Sequence, residues 1–126
     1  MEDQFKNRKV SLLTSERLLI NSVFDELQAN YVAYLGLCRE DFNLEEKEYE
    51  VLIRDLSEFI PLYVESGKSM PYFFIPSFLQ SFKILLNKVK NSYSAKAIQV
   101  RLILEKVIRI FSSINARMYS ELIAEG

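Results

Sequence analysis

Ala97, Val100, Leu104, Val107, Phe111, Ile114 and Met118 follow one another in alternating steps of three and four residues. That spacing keeps one stripe of an α-helix apolar through three heptads. A strand cannot use it, because strand side chains alternate with a period of two. Ile98, Leu102, Ile103, Ile108 and Ile110 add apolar surface beside and behind the stripe. A helix apolar over so much of its circumference is central, or it has partners on two sides. The pattern predicts one helix from about Ala95 to about Ile123, with Ser94 as its cap. At 1.5 Å per residue it is on the order of 40 Å long. Such a helix overhangs its neighbours, so Val107, Phe111, Ile114 and Met118 are the expected contact with a second copy.

The remaining segments also read as helices. Leu19, Ile20, Val23, Phe24, Leu27, Tyr31, Tyr34 and Leu35 form one stripe, with Thr14 or Ser15 as cap and Gly36 as stop. Residues 1–13 precede it as a short polar arm. Asn43-Leu44-Glu45-Glu46 has the form of a capping box, and Tyr49, Leu52, Ile53, Leu56, Ile60 and Tyr63 continue from it. Pro61 removes a backbone donor and predicts a kink or an early end. Pro76 suits the first position of a third helix carrying Phe78, Leu79, Phe82, Leu85, Leu86 and Val89. Met70 to Pro76 reads as a loop across the end of the core, with an exposed aromatic patch as the alternative. Three Gly and three Pro are too few for a turn-rich sandwich or barrel. The expected fold is an all-α antiparallel bundle of four main helices, in a single domain over residues 1–126 with a long C-terminal helix.

Composition removes much chemistry. The chain has no His, and its one Cys is Cys38. That excludes a disulfide framework, a His general base and Ser–His or Cys–His nucleophile pairs. No metal site or cofactor is expected. Gly67-Lys68-Ser69 ends like a phosphate loop, but no Gly stands five residues earlier and no strand precedes it. Asp41, Glu45 and Glu48 read as a solvated helix start, and Cys38 as an idle thiol. No apolar run approaches a membrane span and no export signal opens the chain, so a cytoplasmic, non-catalytic protein is expected.

The formal net charge of −1 hides an asymmetry. Residues 1–67 carry seven Lys/Arg against fourteen Asp/Glu, and residues 68–126 carry nine against three. Three outcomes are open: the halves neutralise each other, the basic half meets an anionic partner, or copies stack acidic face on basic face. On the second, Lys83, Lys88, Lys90, Lys96, Lys106, Arg109 and Arg117 are expected on nucleic-acid phosphates, and Tyr93 beside Lys90 and Lys96 could stack a base. The rival reading is a helical adaptor that self-associates through its last helix.

Three segments carry a resemblance. Leu13-Thr14-Ser15-Glu16-Arg17-Leu18, Tyr63-Val64-Glu65-Ser66-Gly67-Lys68 (with one residue more between Tyr and Gly) and the stretch from Phe111 to Tyr119 resemble, in order and approximate spacing, parts of the small α-helical subunit of type III-A CRISPR effector (Csm) complexes. The first is similar to that family's Leu-Thr-Thr-Ser-Lys-Leu-Arg opening, the second to its Tyr-Glu-Ala-Gly-Arg helix end. Lys68 stands where the family has Arg, and Ser113 where Glu is usual. The resemblance implies a non-catalytic subunit of an RNA-guided ribonucleoprotein. Copies would stack along an RNA duplex beside other protein subunits, and Lys68 would meet a backbone phosphate.

Overall fold

The computed structural model describes the fold of residues 2–125, with side chains from residue 4 onward. It is an all-α bundle: α1 (Thr14–Ala29), α2 (Tyr31–Glu40), α3 (Glu46–Phe59), a π-helical segment (Ile60–Glu65), α4 (Phe74–Val89) and α5 (Ala95–Glu125). α5 runs for 31 residues and packs on α1, α2 and α4. Ser94 caps it as expected, its Oγ accepting the Ala97 N–H at 3.2 Å.

The heptad seam lies inside the chain. Val107, Phe111, Ile114 and Met118 are at most 1 % exposed, and Phe111 meets Phe82 edge-on at 5.3 Å. These four residues are thus core, not the expected contact with a second copy. The stripe is real, but α4 and α1 already cover it.

The expected first helix is two. The chain turns at Asn30, whose side-chain amide donates to Glu26 O at 2.8 Å while its Oδ1 accepts from Gln99. Such local bonds compete with helix continuation. Gly36, the expected stop, sits within α2, where an added Cβ would lie 3.0 Å from the Lys96 side chain. α1 is started by Glu16, whose carboxylate accepts the Leu13 N–H at 2.8 Å, rather than by a Thr14 or Ser15 hydroxyl. At Asn43 the capping box does not form. Asp41 Oδ1 takes the Asn43 N–H instead, and α3 begins at Glu46.

α3 ends at Phe59, two residues before Pro61, but the chain stays helical because it widens to π geometry around the proline. Arg17 closes that segment by donating to Val64 O and, at 2.7 Å, to Glu65 O. Gly67 follows with φ +70°, a conformation that suits glycine. The N-terminal arm is docked rather than loose. Lys9–Val10 pairs antiparallel with Met70–Pro71, and Phe5 is buried edge-on against Tyr119 at 5.7 Å. The segment after Gly67 packs on the core as a connecting loop should, with Met70, Tyr72 and Ile75 buried.

Buried tyrosines each find a partner. Tyr49 donates to Leu27 O, Tyr34 to Glu45 O at 2.7 Å and Tyr72 to Asn115 Oδ1 at 2.7 Å. Among the described residues, no buried side-chain polar atom lacks a hydrogen bond. No described helix is long and apolar enough to cross a membrane.

Candidate functional site

The basic half folds against the acidic half. Four cations of residues 68–126 meet carboxylates of the first 67. Lys88 reaches Glu48 at 2.9 Å, joining α4 to α3. Lys96 reaches Glu40 at 3.3 Å, joining α5 to α2. Lys106 reaches Glu26 at 2.8 Å, and Arg117 Nε reaches Glu16 Oε2 at 2.9 Å, both joining α5 to α1. Arg101 is held by Glu105 on its own helix at 3.5 Å. Lys88, Lys96, Lys106 and Arg117, expected to await polyphosphate, are thus interhelical ties. Adjacent helices place opposite charges within reach, so internal neutralisation accounts for these four.

Lys68, Lys83, Lys90 and Arg109 are exposed, and none has an ion pair among the described residues. Lys83 on α4 and Lys90 at its C-cap are seven residues apart and share a face turned away from the Lys88–Glu48 contact. Arg109 shares the outward face of α5 with exposed Leu102. Lys68 is not brought to them. It precedes α4, whereas Lys90 ends it, a helix length of about 24 Å away. Tyr93 is 82 % exposed in the α4–α5 turn.

Among the described residues, no three His, Cys, Asp or Glu side chains cluster as a metal site. Burial pushes the Cys38 thiol up, against the lowering effect of its contact with Tyr34. A thiol held protonated is a poor nucleophile. The Tyr31 hydroxyl donates to Glu50, and that bond pushes it up to about 12.

A mainly apolar hollow in the surface lies between α3 and α4. A trough of about 340 Å³ is lined by Leu52, Phe59, Leu62, Tyr63, Phe74, Ser77, Phe78 and Ser81, with Asp55 and Glu58 among its walls. Its floor is an aromatic cluster: Phe59 lies 5.1 Å from Phe78 and 5.5 Å from Tyr63, and Tyr63 lies 5.6 Å from Phe74. A second hollow of about 320 Å³ continues it toward Lys47, Glu48, Val51 and Ile84, sharing Leu52 and Ser81. The cause is local. Ser77 and Ser81 stand one turn apart on the face of α4 that looks at α3, where larger side chains would close the gap. Leu62 is 57 % exposed and Ile84 50 % exposed on the trough's flanks. A roomier hollow of about 530 Å³ on the other side of α3 is lined by Gln28, Tyr31, Glu50, Ile53, Arg54 and Ser57, a mostly polar set.

Sequence reasoning missed this trough. Phe74 belonged to an aromatic run and Phe78 to a core stripe, and nothing local says that both border an open gap. The available signal was Ser77 and Ser81 beside that stripe. Comparison of the chain with family models, curated proteins and solved structures finds no match.

Proposed function

We propose that this chain is a non-catalytic helical adaptor that docks another protein in the trough between α3 and α4. One observation carries the reading: an open trough floored by Phe59, Tyr63, Phe74 and Phe78 runs between α3 and α4, whereas the roomier hollow on the other side of α3 is lined mostly by polar residues. Open apolar concavities bordered by polar groups are where proteins take partners. Half of the cations that suggest nucleic acid, Lys88, Lys96, Lys106 and Arg117, are committed to holding the helices together.

A second reading has its own support. Lys68, Lys83, Lys90 and Arg109 are exposed without carboxylate partners among the described residues, and Tyr93 stands free beside Lys90. A structural subunit of an RNA-guided ribonucleoprotein, as the three-segment resemblance implies, would use them on backbone phosphates.

Titration with single-stranded RNA at two salt concentrations separates the readings. The adaptor reading expects no saturable binding at physiological ionic strength. Salt-sensitive binding that disappears in a Lys83→Glu, Lys90→Glu, Arg109→Glu variant would overturn it in favour of the second.

A further inference from the structure

We infer that the occupant of the α3–α4 trough is a basic amphipathic helix of a partner protein, a step that rests on the adaptor reading. Shape is the first argument. The two hollows share Leu52 and Ser81 and run from the level of Tyr63 to that of Glu48. Fifteen residues of helix span about 22 Å, the length of about four helical turns. Two helices with small residues between them offer the groove into which a third helix lays its apolar face. Phe59, Phe74 and Phe78 supply the floor for large anchors spaced i, i+3 or i+4, and i+7.

Charge chooses the partner. Residues 46–65 hold Glu46, Glu48, Glu50, Asp55, Glu58 and Glu65 against Lys47 and Arg54. Asp55 and Glu58 line the aromatic end of the trough. Lys47 is the one cation among the lining residues, and it sits at the far end. Lys88, the nearest cation of α4 to that end, is held by Glu48. Asp55 has Arg54 at 3.8 Å, a long and exposed pair, and Glu58 has no ion pair among the described residues. An acidic helix would meet repulsion there, above all at Glu58, and a helix flanked by Lys or Arg would not.

The test is calorimetric titration of the full chain with three synthetic 16-residue peptides. One is helix-forming, with Leu and Phe anchors at the stated spacing and Lys elsewhere. The second carries Glu in place of Lys. The third has the first one's composition in scrambled order. The inference expects saturable binding of the first alone. That binding should weaken about tenfold in Asp55→Lys, Glu58→Lys and vanish in Ser81→Arg, with circular dichroism unchanged in both. These are surface positions, so the fold should survive them. Equal binding of the scrambled peptide, or binding of the acidic one alone, overturns the basic-helix assignment while the trough remains a docking site. Concentration-dependent dimers abolished by Ser81→Arg would show a second copy in the trough and overturn it likewise. Binding of no peptide, with a monomer throughout, overturns the adaptor reading itself.

Discussion

Arg117 on α5 grips Glu16 at the start of α1, across 101 positions of sequence, with its Nε 2.9 Å from Glu16 Oε2. Glu16 is the one buried charged residue among those described. It also accepts the Leu13 N–H, and Arg117 in addition reaches Ser11 O at 3.1 Å and Glu121 at 3.0 Å. Chain entry, helix start and long helix thus meet at one carboxylate. Arg117→Met would leave that carboxylate buried without its counter-charge, a loss of about 3 kcal/mol. Urea unfolding at neutral pH measures it. Glu16→Gln in the same background should recover part of the loss, because the remaining group is then neutral.

Phe111 is fully enclosed by the chain's own helices. Phe111→Ala should cost about 3–5 kcal/mol, the range for removing a buried aromatic. Phe111→Asp should abolish the folded state, as followed by thermal circular dichroism. A folded Phe111→Asp monomer would show that this residue faces outward after all.

Tyr34 and Tyr49 are both raised above the ordinary value of 10.0, chiefly by burial. Below that value both folded and unfolded chains keep the phenolic protons. Above it the unfolded chain loses them first, so stability falls as pH rises. The slope is about 1.4 kcal/mol per pH unit for each hydroxyl. Ultraviolet titration should show these two tyrosines ionising only together with loss of helical dichroism.

Gly36 and Gly67 should respond in opposite directions. Gly36 lies inside α2, and the atoms an added Cβ would meet belong to the flexible Lys96 side chain. Gly36→Ala should therefore stabilise by about 0.5 kcal/mol through helix propensity, despite disturbing an exposed ion pair. Gly67 has φ +70°, and its Cβ would lie 3.2 Å from the Arg17 guanidinium that caps the π segment. Gly67→Ala should destabilise by about 1 kcal/mol. Melting temperatures of the two variants check both.

Helical class was legible wherever periodicity was long. Ala97 to Met118 announced α5, and Phe78 to Val89 announced α4, because burial imposes a 3.6-residue period on sequence. Its neighbours were not legible. The stripe at Phe111 looks the same whether α4 or a second copy covers it. Lys106 likewise looks the same whether it meets Glu26 or a phosphate, since pairing depends on which helices lie side by side. The break at Asn30 was hidden because Gly36 is the stronger local stop signal, while Asn30 joins a local bond to Glu26 O with one from Gln99 on a distant helix. The trough was least legible of all. It is a gap, and Ser77 and Ser81 mark it only by what they fail to fill.

Four of the nine late cations tie helices together, and the α3–α4 trough is the working surface proposed for this chain. Backbone amide shift mapping by NMR tests it most directly, with RNA and the basic amphipathic peptide added to separate samples. The account predicts that the peptide moves the amides of Leu52, Phe59, Phe78 and Ser81 and that RNA leaves those of Lys83, Lys90 and Arg109 in place. Saturable RNA shifts at Lys83, Lys90 and Arg109, with a silent trough, would contradict it.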